Sequence, residues 1–153
     1  MKKRMSVAIV SKNQTLHKDE ESLSLFRELG ILFAKGDVTL FTHFTSPLSY
    51  FKEAFLTYSD RMISLSPACS KEEHETIFRY TSLPEETILY TGLGKELTIL
   101  TLLRSSDVII CLDEGAVEEV RALKDEREGK EVFLLSEKIL KPLESIVASF
   151  GKS

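Results

Sequence analysis

Residues Ser105 to Val120 read SSDVIICLDEGAVEEV. A β-branched, apolar run from Val108 to Leu112 meets a turn at Asp113, Glu114 and Gly115, after which Ala116, Val117 and Val120 fall at helical spacing. Strand, tight turn and helix in that order form the unit from which parallel α/β sheets are built. The turn is also where such proteins hold phosphate, on the bare amides of a helix N-terminus. Here it carries two carboxylates instead, Asp113 and Glu114.

Working outward, the same alternation recurs along the chain. Five further short apolar runs, SVAIVS, DVTLFT, RMISLS, TILYT and EVFLLS, are separated by segments of helical period. EESLSLFRELGILFAKG places Leu25, Phe26, Leu29, Leu32 and Phe33 on one helical face, and Gly36 stands as its C-cap. SPLSYFKEAFLTYSD puts Ser46 at an N-cap, Pro47 at the first helical position, and Leu48, Phe51 and Phe55 on one side. Ser70 and Glu73 stand at capping-box spacing, which predicts a helix through SKEEHETIFRY. KELTILTLLRSS and AVEEVRALKDERE supply the helices on either side of the fifth strand, the second ending at Gly129. In the tail, EKILKPLESIVASF, Pro142 breaks the helix or begins a fresh turn. The expected architecture is a Rossmann-like, three-layer α/β fold with a mainly parallel sheet of about six strands and helices on both faces.

The chain has 153 residues, read as a single domain over residues 1–153. A charged fraction of 29% and a net charge of -4 argue against broad contact with a nucleic acid backbone. No run approaches the roughly 18 apolar residues needed to span a bilayer. The opening MKKRMSVAIVSK reads as a strand rather than a signal peptide, and Cys111 as a reduced core cysteine, so the expected location is cytoplasmic.

Ligands of open parallel sheets bind outside the carboxyl ends of the strands. Those loops offer Ser11, Lys12 and Asn13; Thr42, His43, Thr45 and Ser46; Ser66; Thr91, Gly92 and Gly94; and Asp113, Glu114 and Gly115. The cleft is expected at the ends of SVAIVS, TILYT and DVIICL. In TGLGKE, two glycines between a strand and a helix fit close approach to a ligand, or equally a tight turn needing positive φ. His17, His43 and His74 have no partner at metal-ligand spacing, so no metal site is expected, and surface or turn positions are the default for all three. His43, at a strand end, is a candidate proton donor or ligand contact. Glu118 and Glu119 both suit the positive start of a helix, a reading that leads for Glu118 and needs no catalytic role, while Glu119 stays a candidate.

The segment Thr87 to Ser136 resembles the LOG-like family of Rossmann-type proteins, once widely described as lysine decarboxylases. Its characterised members are nucleotide phosphoribohydrolases that release cytokinin bases. The same segment resembles the related molybdenum cofactor carrier proteins. In these families an S-A-D opening leads a strand into a P-G-G-x-G-T-x-x-E loop. Ser106 and Asp107 match the opening, Gly115 the last glycine, Ala116 the threonine and Glu119 the glutamate. The glycine pair is replaced around Asp113 and Glu114, and the catalytic arginine falls at Leu97 or Thr98. An earlier glycine-rich loop is replaced by THFTSPLSYF.

The resemblance implies a nucleotide-related or other small ligand, with no cofactor named, and a homodimer, with Glu119 as the surviving member of a catalytic pair. A carboxylate a few Å from a phosphate costs about 1 to 4 kcal/mol at partly solvated dielectric, so the loop is expected to have lost phosphate and Asp113 to cap its own helix. The leading expectation is ligand binding without hydrolysis. The alternatives are N-glycosidic bond cleavage, with His43 or Arg104 in place of the missing arginine, and a partner-binding module without catalysis.

Overall fold

Val7, Ala8, Ile9 and Val10 are wholly buried, as a strand must be when sheet lies on both sides of it and helices on both faces. The computed structural model describes residues 4–12, 20–44, 46–123 and 130–150, with backbone alone at 46–50. The elements run β1 (Ser6–Val10), α1 (Glu20–Lys35), β2 (Thr39–Thr42), α2 (Ser46–Leu56), β3 (Met62–Ser66), α3 (Lys71–Thr76) and β4 (Thr87–Tyr90). They continue as α4 (Gly94–Arg104), β5 (Val108–Cys111), α5 (Glu114–Ala122), β6 (Glu131–Leu134), a 3-10 turn (Glu137–Ile139) and α6 (Leu140–Ser149).

All strand pairs are parallel, in the order β4-β3-β2-β1-β5-β6. The chain therefore builds outward from β1 to the β4 edge, then returns to β5 on the other side of β1. That reversal makes a crevice between the carboxyl ends of β1 and β5.

On one face Val7, Ile9, Leu40, Met62 and Ile110 pack with Phe26, Leu29 and Phe33 of α1, Phe51 and Phe55 of α2, and Leu143 of α6. On the other, Ala8, Val10, Leu65, Ile109 and Cys111 meet Ile99, Leu102 and Leu103 of α4 and Ala116, Val117 and Val120 of α5. Burial, with Asp113 nearby, pushes the Cys111 thiol up to about 12, so it acts as a small core residue.

Local signals place the ends. Ser70 Oγ accepts from the Glu73 amide at 3.2 Å, the expected cap, but α3 stops at Thr76, short of the predicted stretch. Arg79, at φ 56°, turns the chain back there. At the end of α1 the left-handed residue is Asp37, φ 56°, and not Gly36. Gly36 serves close packing instead, since a Cβ there would lie 2.1 Å from Val147 Cγ1 of α6. Pro142 falls in the first turn of α6, where its missing amide costs nothing. Gly129, Asn13, His17 and Thr45 lie outside the described residues, as do the side chains of Ser46, Pro47 and Leu48.

Candidate functional site

The crevice is built from the end of β1 and the start of α5. Asp113 stands extended at φ -150°, the N-cap of α5, and its Oδ1 accepts from the Ala116 amide at 2.8 Å. Its Oδ2 accepts from Ser11 Oγ at 3.0 Å and from the Lys12 amide at 3.1 Å. Three donors that converge on a helix N-terminus, the arrangement that suits an anion, are thus taken up by a side chain of the protein itself. Asp113 is only 9% exposed.

His43 completes this corner from β2. Its Nε2 accepts from the Ser11 amide at 3.1 Å, so the ring proton sits on Nδ1. Burial, reinforced by the Lys52 cation and partly offset by Asp113, lowers the His43 pKa to about 3. The ring is therefore neutral near pH 7 and orients the β1 loop. His43 and His74 are both buried, correcting the surface position expected for them by default: His43 bonds the end of β1, and His74, on α3, packs against Phe44 and Tyr80.

Lys12 Nζ, exposed, approaches the half-buried Glu119 Oε2 at 3.9 Å. This is the cation beside Glu119, a role for which sequence reasoning had weighed His43 and Arg104. Arg104 ends α4 just before β5 begins, at the opposite end of the sheet from the crevice. Glu114, exposed, and Gly115 occupy the first turn of α5.

Thr91, Gly92 and Gly94 lie elsewhere. β4 is the sheet edge, three strands from β1, so the expected cleft at the ends of β1, β4 and β5 divides in two. Gly92 and Gly94 have φ of 66° and 79°, the positive values a tight turn requires. Thr91 Oγ1 donates to the Ser66 carbonyl at 2.8 Å and pairs with Thr98 Oγ1 at 2.9 Å, fixing that turn on β3 and α4.

Between these two regions lies a buried polar cluster that the sequence reading missed. Lys52 Nζ of α2 sits 2.6 Å from Glu86 Oε1 and 3.6 Å above the Phe44 ring. Glu86 also accepts from the Ser64 hydroxyl and, at 3.1 Å, from the Leu83 amide, and Ser64 pairs with Thr42 Oγ1 at 2.7 Å. Desolvation, opposed by Glu86, lowers the Lys52 pKa to about 8. His74 Nδ1 meets Ser66 Oγ at 2.7 Å and its Nε2 meets Ser82 Oγ at 2.9 Å. The sequence signal was a lysine between Phe51 and Phe55, both of which are buried in the core. An open groove of about 720 Å³, lined by Tyr80, Ser82, Leu83, Pro84, Ile88 and Tyr90 among others, adjoins the cluster. Among the described residues no group of three or more side chains is arranged to hold a metal ion.

A six-stranded parallel sheet with a polar crevice at its switch point defines a Rossmann-like α/β protein. The fold is shared with the molybdenum cofactor binding protein of the phototrophic bacterium Rippkaea orientalis, with a TM-score of 0.64 at 19% identity, over 97% of this chain and 87% of that one. It is likewise similar to the molybdenum cofactor carrier protein of Chlamydomonas reinhardtii, with a TM-score of 0.60 at 20% identity, over 96% and 88% of the two chains. A third neighbour is DNA processing protein A of Helicobacter pylori, known for a single-stranded DNA binding mode, with a TM-score of 0.54 at 16% identity, over 95% and 79%. No family model and no curated protein sequence matches the chain. The fold to which the Thr87 to Ser136 segment pointed is therefore the fold the chain has, while the ligands of its neighbours differ among themselves. No helix among the described residues is long and apolar enough to cross a membrane.

Proposed function

We propose that this chain is a cytoplasmic, homodimeric protein that binds a nucleotide-related or other small ligand in the crevice between β1 and β5, without hydrolysing it. The observation that carries the absence of hydrolysis is the Asp113 carboxylate, which holds the Ser11, Lys12 and Ala116 donors that a ligand phosphate would need. A phosphate placed beside it meets charge repulsion and finds its donors engaged. The molybdenum cofactor, for which two structural neighbours are named, is a phosphorylated pterin. The residues at the start of α5 do not fit its phosphate there, so any ligand of this crevice is held by other groups.

A second reading is favoured by one contact. Lys12 Nζ lies 3.9 Å from Glu119, where a cation beside a carboxylate would serve N-glycosidic bond cleavage. Incubation with a panel of nucleoside monophosphates separates the two. Release of free base, abolished by Glu119→Ala and Lys12→Ala alike, establishes hydrolysis. No release, together with a small molecule retained through purification and identified by mass spectrometry after denaturation, supports binding alone.

A further inference from the structure

A chain of hydrogen bonds runs from the end of β3 through α3 to the loop before β4, and its direction is fixed at the buried end. The Ala68 amide, which can only donate, bonds Ser66 Oγ at 3.2 Å. Ser66 is wholly buried, and among the described residues the other partner of its hydroxyl is His74 Nδ1, at 2.7 Å. The Ser66 hydroxyl must therefore donate to Nδ1, because the reverse arrangement strands a buried hydroxyl proton without an acceptor. Burial holds the His74 pKa below the ordinary 6.5, so the ring is neutral near pH 7 and its one proton sits on Nε2. Nε2 then donates to Ser82 Oγ at 2.9 Å. Ser82 is exposed, and its hydroxyl proton, with no acceptor among the described residues, is the outer end of the chain.

Ser82 lines the open groove of about 720 Å³, together with Tyr80, Leu83, Pro84, Ile88 and Tyr90. That is the size of a small-molecule site, and its walls are already fixed. Glu86 accepts from the Leu83 amide and pairs with Lys52, which fastens the loop to α2. Tyr80 stacks on Phe44 and on Phe78, at centroid distances of 5.4 and 5.7 Å. The charged groups around the groove are paired with one another, Glu86 with Lys52 at 2.6 Å and Glu75 with Lys71 at 3.9 Å. We propose that this groove is a second binding site, apart from the crevice between β1 and β5, for an uncharged carbonyl compound with a flat apolar body. Its oxygen accepts from the Ser82 hydroxyl, which donates the more strongly for accepting from His74. Leu83, Pro84 and Ile88 offer apolar surface to the body of such a molecule, whereas an ion gives up its hydration and finds no unpaired charge in exchange.

The probe is benzamide, titrated into the full chain labelled with nitrogen-15 and followed by its amide shifts, with benzoate, the charged isostere, as the control. Benzamide is expected to bind in the low millimolar range, as a small fragment does, with shifts centred on residues 71–90. Benzoate should bind about tenfold more weakly or worse. Ser82→Ala, at an exposed position, should keep the wild-type melting temperature and lose about five- to tenfold in benzamide affinity. The imidazole nitrogen-15 shifts of His74 in the wild type should show the proton on Nε2. A proton on Nδ1 overturns the proposal, because the chain of donors then runs the other way. So does an absence of benzamide binding up to about 20 mM, a set of shifts centred elsewhere, equal binding of benzoate, or an unchanged affinity in Ser82→Ala.

Discussion

Ser11 Oγ donates to Asp113 Oδ2 across 3.0 Å, joining the end of β1 to the start of α5 over 102 residues of sequence. Together with the Lys12 and Ala116 amides, this contact fixes the crevice in one geometry.

Changing Asp113 and Glu114 together to Gly leaves those donors facing the crevice and removes two negative charges from a positive helix terminus. Binding of a nucleoside monophosphate, followed by calorimetry at low salt, should strengthen. Loss of the cap and of two further hydrogen bonds should cost about 2 to 3 kcal/mol in stability, so the domain should still fold. Unchanged or weaker nucleotide affinity in the folded variant would show that the carboxylates do not close the site.

His43 gives a pH dependence of definite sign. Its folded pKa of about 3 lies below the ordinary 6.5, so below pH 6.5 the unfolded chain takes up a proton that the folded chain refuses. Its contribution to stability is therefore complete above 6.5 and is lost as pH falls toward 3, by about 2 kcal/mol at pH 5. Thermal melts from pH 7 to 5 should show a smaller decline in His43→Asn than in the wild type. Equal declines would assign the loss to other groups.

Lys52→Met strands the Glu86 carboxylate, only 1% exposed, without its cation. The expected destabilisation is about 3 to 5 kcal/mol. Adding Glu86→Gln, which removes the charge while keeping an acceptor for the Leu83 amide, should recover most of it. Urea unfolding of the two variants decides this, and a double variant as unstable as the single would contradict it.

Gly36→Ala forces a methyl into Val147 of α6 and should cost about 1 to 3 kcal/mol, as overpacking does. Val147→Ala in the same chain should relieve it. A Gly36→Ala protein of wild-type melting temperature would mean that α6 sits farther from α1.

The sequence revealed elements more readily than their neighbours. Continuous apolar runs such as VAIV and VIIC mark central parallel strands, and Ser70, Glu73 and Asp113 announced their caps, because these signals are local. That β4 lies at the far edge, away from β5, is decided by packing across the whole sheet and leaves no mark on TILYT itself. The same holds for Lys12 beside Glu119 and for Lys52 beside Glu86, contacts between residues distant in sequence. Gly36 looked like a helix terminator, yet its bare Cα faces Val147, more than a hundred residues later.

The Asp113 carboxylate amounts to a competitive inhibitor attached to its own target. Being tethered, it stands at an effective concentration that a freely diffusing anion at cellular levels does not match. Rotation of this one side chain would release the Ser11, Lys12 and Ala116 donors together, so both walls of the crevice, the end of β1 and the start of α5, hang on a single carboxylate.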